Sequence, residues 1–149
     1  GLAKLEISRI PALTDLSPLA GIEELGMLYL TSLPALTDLS PLAEIKRLTA
    51  LHLVCLSDLR DLSALIGIEG LSHLSLFDLP LLTALSPLTG TEGLTNLRLW
   101  DLPVLSDYSP LTDLPNLTEI QCDSDLYSKL PPSLQKKADT EFSEWETDS

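Results

Sequence analysis

The chain has 149 residues, a length for one domain, and its 44% apolar but only 5% aromatic content points to a core filled with aliphatic side chains. A net charge of −13 and an isoelectric point near 4.2 argue against nucleic-acid backbones and anionic membrane surfaces as partners, because both select basic patches. No apolar run approaches the ~20 residues of a membrane span, and most of the acid reads as solubilising charge in turns and on the outer face.

From the first residues onward the chain repeats itself with a period of 23. Leu2, Leu25, Leu48, Leu71, Leu94 and Leu117 share one slot. Leu5, Leu28, Leu51, Leu74, Leu97 and Ile120 share the next, followed by Ile7, Leu30, Leu53, Leu76, Leu99 and Cys122. Ile10, Leu33, Leu56, Leu79 and Leu102 fill another, and Leu13, Leu36, Leu59, Leu82 and Leu105 one more. A period of this length signals a solenoid, in which each unit buries its apolar face against its neighbours.

Within a unit, Leu25-x-x-Leu28-x-Leu30 ends in the alternation of a strand with one buried face. Six parallel strands are expected near residues 4–8, 27–31, 50–54, 73–77, 96–100 and 119–123. A "LPALTDL" segment follows, then "SPL". Ser17, Ser40, Ser63, Ser86 and Ser109 fit helix N-caps, and Pro18, Pro41, Pro87 and Pro110 the first helical position. Only about six residues then remain before the next strand, so the helix is one or two turns, or 3₁₀. The fold class is an α/β solenoid: a right-handed leucine-rich coil with a parallel sheet on its concave face and short helices or 3₁₀ turns on its convex face.

The ends depart from this pattern. Residues 1–126 read as the solenoid and 127–149 as a C-terminal cap and tail. Pro131-Pro132 can open a helix, and Leu134, Ala138, Phe142 and Trp145 then share one helical face. Residues 132–146 are therefore expected to form a capping helix over the last repeat. The N-terminal end shows no cap, so further repeats or another domain of a parent protein are expected upstream of Leu2. Cys55 and Cys122 are three rungs apart, about 14 Å at the inter-strand spacing, too far for a disulfide. Such a chain is compatible with a reducing cytosol, though the absence of a bridge does not exclude secretion.

The pattern L-x-x-L-x-L-x-x-L-P-x-L-T-D-L-S-P-L-x-x-I-x-x-L resembles bacterial leucine-rich repeats of the internalin type, over about residues 2–117. "TDLSPL" is similar to the internalin "D-I-x-P-L" segment. Two features differ: the slot usually filled by a bridging Asn holds Leu33, Leu56, Leu79 and Leu102, and the unit is one residue longer. The "LPALTDLSPL" units also look similar to the C-terminal sensor repeats of bacterial NACHT-type signalling ATPases. The resemblance implies a binding or ligand-sensing module of a larger cytoplasmic protein, NLR-like in design. Its alternatives are an internalin-like surface or secreted adhesion domain and a structural or autoinhibitory spacer.

Strand residues flanking the inward leucines face the concave side, where repeat proteins bind. They form three columns. The first is Lys4, Met27, Ala50, His73, Asn96 and Glu119. The second is Glu6, Tyr29, His52, Ser75, Arg98 and Gln121; the third is Ser8, Thr31, Val54, Phe77, Trp100 and Asp123. Tyr29, His52, His73, Phe77, Arg98 and Trp100 make up the expected contact surface for a protein or peptide, since aromatic and Arg clusters are the composition of binding hot spots. Phe77 and Trp100 have an alternative role as packing folded over the sheet edge. His52 and Ser75 share a column, but Tyr29 stands where a triad would need its carboxylate. His52 and His73 lie diagonally with no third ligand, and no Gly-rich phosphate loop occurs. No catalytic residue, cofactor or metal is expected.

Overall fold

In a computed structural model, which describes residues 3–141, every unit of the period makes one coil of the expected right-handed solenoid. The strands are β1 (Ala3–Ser8), β2 (Leu25–Thr31), β3 (Ala50–Val54), β4 (His73–Phe77), β5 (Asn96–Trp100), β6 (Glu119–Cys122) and β7 (Ala138–Asp139). They form one parallel sheet in sequence order. Five 3₁₀ turns, Ser17–Gly21, Ser40–Glu44, Ser63–Gly67, Ser86–Gly90 and Ser109–Asp113, stack along the opposite side. They stack closely: a Cβ on Gly67 would lie 2.8 Å from the Ala43 Cβ.

Two parallel layers leave a single interior, and the leucine slots fill it. Leu28, Leu51, Leu74 and Leu97 point inward in register, as do Leu30, Leu53, Leu76 and Leu99. Leu33, Leu56, Leu79 and Leu102, which replace the bridging Asn, are buried in the same core. The bridging between coils is done elsewhere. Thr49, Ser72, Thr95 and Thr118 form a column just before the strands. Each donates its amide and its hydroxyl to the carbonyl one coil back, the hydroxyls at 3.1–3.2 Å. A hydroxyl ladder of this kind satisfies backbone acceptors while the neighbouring slot stays wholly apolar.

The serines are not the helix caps. Ser17, Ser40, Ser63, Ser86 and Ser109 are the first residues of the 3₁₀ turns, and the prolines follow at the second position. The capping oxygens belong to Asp15, Asp38, Asp61 and Asp107, whose Oδ1 atoms accept the serine amides at 2.8–3.0 Å. Asp is better suited to this role because its carboxylate reaches an amide two residues on, while a Ser hydroxyl at the turn's own first position cannot. These hydrogen bonds hold the four carboxyls below the usual carboxylate range. The fourth coil has Ala84 in the slot.

A further column closes each strand. Arg9, Ser32, Cys55, Asp78 and Asp101 all adopt left-handed backbone, with φ between 52° and 57°. The turn aims the amide of Arg9, Ser32, Cys55 and Asp78 at the carbonyl of Thr31, Val54, Phe77 and Trp100 on the next coil, at 2.9–3.1 Å. After the fifth strand the Asp123 side chain takes over. Its Oδ2 accepts the Asp101 amide at 2.9 Å, and its Oδ1 accepts Leu126 N at 2.8 Å, capping helix α1 (Ser124–Lys129). One carboxylate thus ends the repeat and starts the cap, so β6 stops at Cys122 and not at residue 123.

The cap differs from the expected helix over 132–146. Helix α2 covers only Pro132–Gln135. The chain then extends, and Ala138, expected on a helical face, lies in β7 beside Ile120. The edge of β6 explains the change. Its amide and carbonyl groups need partners that a helix cannot supply, and Ile120 N donates to Lys137 O at 2.9 Å. Leu126, Leu130 and Leu134 join the core of the coils. Phe142 and Trp145 lie outside the described residues. At the other end Ile10 is 44% exposed, whereas Leu33 in the same slot is fully buried.

Candidate partner-binding face

Strand register brings the three outward columns together as expected. Tyr29 pairs with His52, His52 with Ser75, Ser75 with Arg98, Val54 with Phe77, and Phe77 with Trp100. Parallel neighbours sit ~4.8 Å apart, a spacing that lets flat rings stack. The Tyr29 and His52 rings are parallel to within 2° with centroids 4.0 Å apart, and Lys4 Nζ lies 4.7 Å from the Tyr29 centroid on its other side. The Phe77 and Trp100 rings stack at 5.6 Å and 20°. Both are half-buried, so they pack on each other and still present surface.

From the third coil onward the middle column is covered although it points to the open side, whereas Glu6 is exposed and Tyr29 half-buried. His52 is 5% exposed, Ser75 1% and Arg98 3%. Along the column the Tyr29 ring lies against the His52 ring. Burial, aided by the charges of Arg98, Lys4 and His73, pushes the His52 imidazole down to about 4. His73 is half-buried and also shifted down, by burial and by Arg98 against the opposing pull of Glu119. Its Nδ1 lies 2.8 Å from Ser72 Oγ. Toward the C-terminal end a polar chain borders the face: Thr95 Oγ1 donates to Asn96 Oδ1, Asn96 Nδ2 to Glu119 Oε2, and Gln121 Nε2 to Glu119 Oε1. The accessible part of the expected site is therefore Tyr29, His73, Phe77 and Trp100. His52 and Arg98, expected on that surface, are buried and offer almost no area to a partner.

Sequence reasoning did not find the carboxylates along the strand ends. The left-handed turns set Asp78 and Asp101, both exposed, directly after Phe77 and Trp100. Their signal was the fixed spacing from the aromatic slot, one residue on. Both also bear on the Cys55 thiol, which burial and the Asp78 carboxylate raise above its usual pKa. Cys55 and Cys122 are both free thiols. Among the described residues no helix is long and apolar enough to cross a membrane, and no group of three or more His, Cys, Asp or Glu side chains is placed to hold a metal ion.

Coils of this shape, with their sheet, 3₁₀ turns and leucine slots, recur in solved structures. The chain is similar to internalins. Internalin C2 of Listeria monocytogenes is 36% identical over 74% of this chain and 47% of its own, with a TM-score of 0.63. An internalin (inlF) of the same organism is 28% identical over 78% of this chain and 34% of its own, with a TM-score of 0.62. The chain thus spans about half the length of the first and a third of the second. No protein-family model and no curated protein matches it.

Proposed function

We propose that the chain is a non-catalytic protein-binding module whose concave face is the docking surface. The observation that carries this reading is the Phe77–Trp100 stack: two of the chain's few large aromatic side chains, paired and partly accessible, on the outward side of strands whose inward slots barely vary. Solubility alone does not call for such groups there, and partly exposed aromatic clusters are where binding energy concentrates. Of the two parents suggested by the repeat, the internalin-like one has the support of structural neighbours, and the NACHT-type sensor has none from them. A surface or secreted adhesion role goes with the former, a cytoplasmic one with the latter.

The test is a titration of a partner captured by photocrosslinking from position 77. Trp100→Ala and Tyr29→Ala should each weaken binding by about 2 kcal/mol or more, as hot-spot truncations do, with melting temperature nearly unchanged. Glu23→Ala and Glu44→Ala, on the convex side, should bind like the parent chain. Loss in the convex variants with retention in the concave ones overturns the assignment. Collapse of the melting temperature in Trp100→Ala makes the stack structural packing.

A further inference from the structure

We infer that the partner seated on this face presents an arginine-bearing, cationic segment to the Phe77–Trp100 stack and the Asp78 and Asp101 carboxylates. The inference rests on the concave face being the docking surface, and it names the chemistry of what docks there. A planar guanidinium stacks on an aromatic face, best on Trp, and its edge forks to carboxylates. The fold sets the two elements one residue apart at the ends of adjacent strands. Phe77 and Trp100 are register partners with stacked rings, and each is followed at once by an aspartate in the left-handed turn.

These turns are anchored at the main chain, so both aspartates stay at the strand ends next to the aromatic residues. Asp78 N donates to Trp100 O at 3.0 Å, and Asp101 N to Asp123 Oδ2 at 2.9 Å. Charge sorts along the face as well. Its exposed cations, Lys4 and Arg9, stand at the first coil beside Glu6, whereas Asp78 and Asp101 follow the rings on the fourth and fifth coils and Glu119 and Asp123 lie on the sixth. Arg98, the cation nearest the rings in sequence, is 3% exposed and so presents almost no charge to a partner. An apolar partner would strip water from the two rim carboxylates and return no charge, and an acidic one would meet a chain of net charge −13. A lysine brings charge without the plane that matches the rings.

The experiment follows Trp100 fluorescence in the Trp145→Phe background while capped hexa-arginine, hexa-lysine or hexa-glutamate is added. Hexa-arginine should saturate the signal, hexa-lysine should bind about tenfold more weakly, and hexa-glutamate should not bind. The double variant Asp78→Asn/Asp101→Asn should lose about tenfold in hexa-arginine affinity. Asn tolerates the left-handed backbone, so the turns survive, which circular dichroism melting checks. The convex double variant Glu44→Gln/Glu69→Gln removes the same charge and should bind as before. Equal losses in the two double variants would reduce the effect to the overall charge of the chain and overturn the inference. Equal binding of arginine and lysine peptides would also overturn it. If the captured partner binds Asp78→Asn/Asp101→Asn normally but not Trp100→Ala, the concave face is the docking surface and the arginine assignment is wrong. If Trp100→Ala changes neither, the docking surface itself lies elsewhere.

Discussion

His52 shows how a side chain that points to solvent becomes buried. Period-2 alternation fixes its direction, and the sequence carries that fully. Tyr29, stacked at 4.0 Å, covers one face of it, and no spacing rule encodes such a lateral contact. The consequence is measurable. In the unfolded chain a His titrates near 6.5, and in the fold His52 titrates near 4. Between these values the unfolded chain binds more protons, so stability rises with pH across the window and falls on acidification from about 6.5 to 4. The shift caps the His52 contribution at about 3 kcal/mol. His52→Gln should flatten most of this slope in denaturant titrations, leaving the smaller same-signed part from His73; an unchanged slope would show that His52 protonates freely in the fold. The other two middle-column residues should differ from each other. Ser75 Oγ is buried and makes no hydrogen bond among the described residues, so Ser75→Ala should be neutral or stabilising by up to ~1 kcal/mol. Arg98, expected from sequence as an exposed hot spot, is as buried as the core beneath it, so Arg98→Ala should cost about 2–4 kcal/mol of stability. A cost under ~0.5 kcal/mol would restore it to the accessible surface.

Among the elements, legibility followed whether a structural role has its own residue chemistry. The strands were readable almost to the residue because inward slots accept only apolar side chains. The 3₁₀ turns were readable from the few residues left between strand and strand. The caps were misassigned by two positions because Ser and Asp both cap, and only geometry shows that the Asp38 carboxylate, not the Ser40 hydroxyl, reaches the exposed amide. The hydroxyl column was present in the sequence as Thr49, Ser72, Thr95 and Thr118, yet polar residues before a strand have too many other uses to declare a ladder. The left-handed column had only its spacing, one residue past the last outward slot: Arg9, Ser32 and Cys55 share no chemistry with one another or with Asp78 and Asp101. Its backbone is set by the ladder each amide completes, at a cost of roughly 1–2 kcal/mol per non-Gly residue. Ser32 lies inside the stack, so its turn has a coil on each side. Ser32→Gly should therefore be neutral or stabilising by up to ~1 kcal/mol, and Ser32→Val should cost about 2 kcal/mol, because a β-branched side chain fits this backbone worst. Chemical denaturation of the pair decides it. A Val variant as stable as the Gly variant would mean that the turn relaxes out of the left-handed region.

At the scale of the whole molecule, a solenoid has only nearest neighbours, so its stability is a sum along one axis and its ends carry special weight. The C-terminal end was misread as one long helix because Leu134, Ala138, Phe142 and Trp145 happen to recur at helical spacing. A helix buries an apolar end but leaves a strand edge unpaired, and periodicity in one segment says nothing about what a distant edge needs. The cap meets both needs in pieces: Leu126, Leu130 and Leu134 cover the last coil, β7 pairs with β6, and Lys137 Nζ donates to Leu117 O at 2.9 Å. Removing residues 131–149 should therefore uncover apolar surface and a free edge together. Loss of Leu134 alone should cost about 2–5 kcal/mol, as core leucine truncations do. The bare β6 edge then offers a template for another chain. The truncated protein should melt earlier, bind a hydrophobic dye and grow in light scattering with concentration. Leu134→Ala separates the two effects, since it opens the core and leaves the β6–β7 pairing in place. It should melt earlier with little aggregation. If the truncation stays monodisperse and as stable as the full chain, residues beyond 130 take no part in closing the stack. If Leu134→Ala aggregates as readily as the truncation, apolar exposure and not the free strand edge drives association.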